Sequence, residues 1–184
     1  NASFEGEQRE QMDAIGSLKI GFLIALFMIY ALLAIPFKSY TQPLIIMAAI
    51  PFGIIGALVG HIVMGLAVGI LSIFGIIGLA GVVVNDSLVL IDYVNKEREK
   101  GLDVKQAVIN AGKVRFRPIM LTSVTTFVGV LPLILERSLQ AQFLIPIAAS
   151  LGFGILFATF IIMIIVPALV VMEAKADSVI KGWK

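Results

Sequence analysis

Charge is scarce in this chain: Asp, Glu, Lys and Arg make up 14% of its 184 residues, against about 25% in an ordinary soluble domain. Cysteine is absent, which excludes a disulfide framework, thiolate metal ligation and a cysteine nucleophile. The single histidine, His61, cannot form a zinc site by itself. Phosphate-binding loops, nucleophile triads and metal-ligand spacings are also missing, so neither enzymatic activity nor a bound cofactor or metal is expected. The longest basic segment has no interleaved aromatic residue except Phe116, which speaks against a nucleic-acid partner. The start is polar and acidic rather than basic then apolar, unlike a secretory signal peptide.

What is abundant is apolar sequence. Hydrophobic residues make up 59% of the chain and the mean hydropathy is +1.04. The apolar runs fill most of the length, so the expected fold is an all-α membrane protein, a five-transmembrane-helix bundle in contact with membrane lipids. Residues 1–16 form a polar segment with Glu5, Glu7, Glu10 and Asp13 against Arg9. The transmembrane bundle is expected over 17–172, with a first span at about 18–37 whose only charge, Lys19, snorkels at its edge. Between Pro43 and Val84 no charged residue occurs. That stretch is about twice the ~20 residues one crossing needs, so it holds a second span at about 43–61 and most of a third at about 69–94. The turn between them falls near His61–Gly65, and His61 reads as an interfacial residue. Pro51 is expected to bend the second span. Residues 96–117 form a polar loop in which Val104, Ala107, Val108 and Ala111 recur at helical spacing, as in a short amphipathic surface helix. Pro118 is placed to open a fourth span at about 118–135, and a fifth runs over about 141–172, followed by a tail at 173–184.

Half of the 14 Lys and Arg residues lie in the 96–117 loop. Lys175, Lys181 and Lys184 of the tail fall on the same side if there are five spans. The positive-inside rule then puts that loop and the C-terminus in the cytoplasm and the N-terminus outside, in the periplasm.

The third span contains the residues with chemistry. A carboxylate near the middle of a spanning helix costs roughly 2.5–3.5 kcal/mol on insertion scales, and Asp86 lies about 12 Å deep by helix rise. Intramembrane acids commonly mark ion or proton paths; the plainer reading is a structural acid. Gly75, Gly78 and Gly81 form a small-residue strip leading towards Asn85. Asp92, near the span's end, reads as a solvated acid. On the fourth span Thr122, Thr125, Thr126 and Gly129 share one face. Thr122, roughly 8 Å deep, is expected to meet Asp86 or Asn85 on an antiparallel neighbour, although threonines also back-bond to their own helix. Arg115 reads as a topology signal or the lining of a cytoplasmic water path.

Three stretches, GVVVNDSLVLIDYVN at 81–95, RFRPIMLTSVTTFVGVLPL at 115–133 and LERSLQAQFLIPIAASLGFG at 135–154, closely resemble resistance–nodulation–division (RND) efflux transporters. The resemblance covers about residues 10–172. It is to the C-terminal transmembrane half, helices eight to twelve, of the hydrophobe/amphiphile exporter or acriflavine-resistance branch. It implies a fragment of a proton-driven multidrug or metabolite antiporter of the Gram-negative inner membrane, powered by the proton gradient. Such a pump is a homotrimer working with a periplasmic adaptor and an outer-membrane channel. By the same resemblance, Asn85 stands where many members have a helix-ten lysine, with Asp86 next to it. Thr122 matches a helix-eleven threonine and Arg115 an arginine near the cytoplasmic entrance, so these four residues form the expected proton relay. Asn85 departs from the family's lysine and removes the cation of the usual ion pair. The resemblance also implies a missing N-terminal half as partner, and self-association of this part when alone. Two alternatives stay open: a non-transporting membrane assembly or scaffold module, and a proton-driven lipid exporter or secretion accessory of the same superfold.

Overall fold

The computed structural model describes residues 2–138 and 140–182, and the surroundings of side chains 12–138 and 140–176. The acids and the arginine of the first eleven residues, and Lys181 and Lys184 of the tail, lie outside the described side chains. Among the described residues the structure is all-helical: α1 (Ala2–Phe37), α2 (Thr41–Met47), α3 (Ile50–Met64), α4 (Ile70–Glu99), α5 (Val104–Ile134) and α6 (Ile145–Gly182), with a 3-10 turn at Ala141–Phe143. Five segments are long and apolar enough to cross a membrane: Met12–Phe37, Thr41–Met64, Ile70–Glu99, Val104–Ile134 and Ile145–Ala176. The chain divides into two units, residues 1–39 with α1 and residues 40–184 with the remaining helices.

In the second unit α6 is the common partner of α3, α4 and α5. Lipid offers little hydrophobic drive between helices, so association depends on close backbone approach. Glycines supply it. A Cβ at Gly56 would stand 2.5 Å from the Phe157 Cβ and 3.1 Å from the Gly154 Cα. One at Gly154 would meet the Gly53 carbonyl oxygen at 3.1 Å. One at Gly75 would stand 2.6 Å from the Ile147 carbonyl oxygen and 2.7 Å from the Ser150 Cβ. Leu79, Val83, Ile155, Ala158 and Ile162 are buried beside these crossings. Hydroxyls add polar links: Ser150 donates to the Ser72 carbonyl at 3.0 Å, and the Ser123 and Thr159 hydroxyls meet at 2.5 Å.

Two prolines behave differently from expectation. Pro51 does not merely bend the second span but divides it, with α2 ending at Met47 and Pro51 in the first turn of α3. Proline has no N–H for the carbonyl one turn back, and a helix start tolerates that loss. Pro118 does not open a helix. It lies well inside α5, so the amphipathic segment and the fourth span form one continuous helix instead of a separate surface helix. That helix starts at Asp103, whose carboxylate accepts the Lys105 N–H at 3.3 Å.

The turns use local chemistry. Gly65 ends α3 at φ +64°, and its neighbour Leu66 returns an N–H to the His61 carbonyl at 2.9 Å. Gly101, at φ +91°, turns the chain between α4 and α5. Glu97, 7% exposed, accepts from Lys100 Nζ at 2.7 Å and Asn110 Nδ2 at 3.3 Å, tying the end of α4 to α5. Between α5 and α6 the N–H groups of Ser138 and Arg137 donate to Glu136 at 3.0 and 2.9 Å and hold its carboxyl below the usual carboxylate range.

The glycine contacts set a test. Gly75→Ala inserts a methyl against α6 backbone and should lower stability in detergent by about 1–3 kcal/mol. Gly78→Ala and Gly81→Ala add a methyl where nothing lies within 4 Å, and should leave the unfolding midpoint unchanged or slightly raised. Thermal unfolding of the three variants side by side checks this.

Candidate functional site

Adjacent residues on an α-helix are turned by about 100° from one another, and α4 uses that turn to separate an amide from an acid. Gly78, Gly81 and Asn85 are exposed, and a Cβ at either glycine would meet nothing within 4 Å. Asp86, the next residue, is 4% exposed, and its Oδ2 is buried with no hydrogen-bond donor among the described residues. Ser87 is fully buried and donates to its own helix at the Val83 carbonyl, 3.1 Å away. A buried carboxyl oxygen without a donor leaves a strong acceptor unmet, which costs about 1–3 kcal/mol or more.

On α5, Thr122 and Thr125 are exposed and Gly129 has open space around it. Their hydroxyls turn back onto the helix: Thr122 donates to the Pro118 carbonyl at 2.9 Å, Thr125 to Leu121 at 2.8 Å and Thr126 to Thr122 at 2.8 Å. Thr122 therefore does not meet Asp86 within this chain, because one is on an open face and the other inside the bundle. Comparable depth brings two side chains together only when both helices also present them to each other. Asn85 and Thr122 remain available on open faces. Arg115, half-buried, stacks its guanidinium over the Tyr93 ring at 5.0 Å, and its Nε is buried without an acceptor. Asp92 is partly exposed and pairs with Lys96 at 2.7 Å.

The structure also shows two polar centres whose partners the sequence does not reveal. His61 is not an interfacial residue; it is 2% exposed. Its Nδ1 lies 2.9 Å from the Ala57 carbonyl and its Nε2 2.7 Å from the Ser72 hydroxyl. A carbonyl only accepts, so Nδ1 holds a proton, and in the neutral ring Ser72 then donates to Nε2. The Ser72 oxygen in turn accepts the Gly69 N–H at 3.2 Å, one arm of a capping box at the start of α4. Gln42 and Asn95 exchange two amide hydrogen bonds, at 3.1 and 2.8 Å, between α2 and α4. The signal for both was the rarity of polar residues in these apolar stretches. Among the described residues, no group of three or more His, Asp or Glu is placed to hold a metal ion.

Residues 1–173 match the AcrB/AcrD/AcrF family. The chain belongs to that family. It is 32% identical over 174 residues to the swarming motility protein SwrC of Bacillus subtilis (strain 168), covering 92% of this chain and 16% of SwrC. Two crystal forms of a heavy metal efflux pump superpose with TM-scores of 0.81 and 0.79, each at 28% identity, covering 90% and 92% of this chain and 16% of the pump. The chain thus spans 16% of the length of these relatives. The family is one of transporters, and the five helices long and apolar enough to cross a membrane make this an RND-type multi-pass membrane protein.

The His61 network predicts that Ser72→Ala, which strips the donor from His61 Nε2 and the cap from Gly69, lowers stability by about 1–3 kcal/mol. Denaturant unfolding of the variant in detergent, compared with the parent chain, measures it.

Proposed function

We propose that this chain is the C-terminal transmembrane half, helices eight to twelve, of a proton-driven efflux antiporter of the hydrophobe/amphiphile exporter branch. It supplies part of the intramembrane proton path. The observation that carries the proposal is Asp86, a buried acid with an unsatisfied carboxyl oxygen on a helix that crosses the membrane. Acids in such positions are expensive and are retained where protons or ions pass. Asn85 and Thr122 line the open faces of α4 and α5, and Arg115, inside α5, stacks over Tyr93 of α4.

The two positions 85 and 86 divide the work. Asn85, in place of the family's lysine, offers an amide to the facing half of the transporter, where acids supplied by the remaining length of the protein would stand. Asp86 holds its carboxyl within this half, one helix step away from the shared face. The open face around Gly78 and Gly81 suits close approach of another helix bundle, from the other half or, in its absence, from a second copy of this chain. The description of the solved relatives as efflux pumps supports export as the direction of transport. The basic 96–117 segment supports a cytoplasmic α4–α5 loop, a cytoplasmic C-terminus and a periplasmic N-terminus, in the inner membrane of a Gram-negative bacterium. The complete pump would act as a homotrimer with a periplasmic adaptor and an outer-membrane channel.

In the complete transporter, Asp86→Asn should keep expression and assembly while reducing proton-coupled efflux to the level of membranes without the pump. Substrate accumulation, together with pH-gradient dissipation in inverted vesicles, reads both halves of the coupling. Efflux at the unmodified rate would overturn the assignment of Asp86.

A further inference from the structure

The α4–α5 end of the bundle holds two kinds of base. Lys96 and Lys100 are engaged by Asp92 and Glu97, each at 2.7 Å. Lys113 and Arg117 are exposed and, among the described residues, take part in no ion pair. They lie four residues apart on α5, so about 6 Å separates them along the axis. The same line continues along the helix through Leu121, Val124 and Val128, at spacings of four, three and four. These three are 61%, 43% and 55% exposed. The result is a stripe with two free cations at one end and bare hydrocarbon along the rest.

Its length matters. From Arg117 to Val128 the helix rises about 16 Å, close to the ~15 Å of one leaflet of a ~30 Å hydrocarbon core. Two unpaired cations at the headgroup level complement a phosphodiester with a net negative charge, whereas a zwitterionic headgroup offers no net charge to them. The apolar stretch beneath is as long as an acyl chain's path to the bilayer midplane. We infer that the Lys113–Arg117–Leu121–Val124–Val128 stripe of α5 is a binding site for an anionic phospholipid of the leaflet on the α4–α5 loop side. The two bases hold the phosphate and the three aliphatic side chains lie along one acyl chain.

The 184-residue chain, placed in nanodiscs with equal phosphatidylglycerol and phosphatidylcholine, tests this by native mass spectrometry of the lipid that stays bound. The parent chain should retain phosphatidylglycerol in excess. Lys113→Gln or Arg117→Gln alone should each cut that excess on the order of fivefold, and the pair on the order of 30-fold. Lys96→Gln, which alters a base already paired, should leave it unchanged, and circular dichroism should show equal helicity throughout. An excess unaffected by the double variant would overturn the site, as would an equal fall with Lys96→Gln. A lysine-reactive linker joining Lys113 of two copies, with phosphatidylglycerol excluded, would assign the stripe to a second copy of the chain and overturn the lipid.

Discussion

The backbone contact between α4 and α6 at Gly75 governs this molecule. With a carbonyl oxygen and a Ser150 Cβ pressed where a side chain would begin, α4 has one rotational setting against its neighbour. Every other assignment on the helix follows from that setting. Leu79 and Val83 fill the crossing with α3 and α6, Asp86 turns inward, and Gly78, Gly81 and Asn85 turn outward. In lipid, where apolar burial gives little preference for one packing over another, steric fit of this kind decides orientation.

Polar groups are then placed so that few are left alone. The His61 imidazole, the Ser72 hydroxyl and the start of α4 satisfy one another at one end of the hairpin. The Gln42–Asn95 amide pair and the Glu97–Lys100–Asn110 cluster do the same at the other end. Against that background three buried atoms are unmet among the described residues, Asp86 Oδ2, Arg115 Nε and Glu173 Oε2, and the Asp86 oxygen is the one midway along a spanning helix, where a transporter has a use for it. The threonines of α5 show the opposite economy: their hydroxyls are satisfied by their own helix and can be released when another partner arrives.

Much of the fold was legible because long charge-free runs admit few arrangements, and five apolar segments announce themselves by length alone. The azimuth of each helix was not. The glycines at 75, 78 and 81 look like one strip, yet a period of three falls about 60° short of a full turn at each step. Gly75 therefore packs on α6 while Gly81 looks away from it. A meeting of Thr122 with Asp86 or Asn85 followed from comparable depths, and the one with Asp86 failed because the acid faces inward and the threonine outward. Pro51 and Pro118 exchanged their expected effects, because proline marks a break only where its surroundings do not already hold the helix together. His61 lay beside a turn, which suggested an interface, but its partner Ser72 is across that turn and drew the ring inside.

The one-residue step between Asn85 and Asp86 makes α4 sensitive to phase. Deleting a single residue between Gly81 and Asn85 would leave composition and hydropathy almost untouched, and the span would remain long enough to cross the membrane. It would nevertheless rotate everything beyond it by about 100°, presenting the carboxyl of Asp86 on the open face and turning the amide of Asn85 into the place now held by Val84. Substitutions along this helix can be absorbed one side chain at a time. A change of length exchanges the chemistry of its two sides at a stroke, so the spacing from Gly75 to Asp86 is as much a part of the site as the residues themselves.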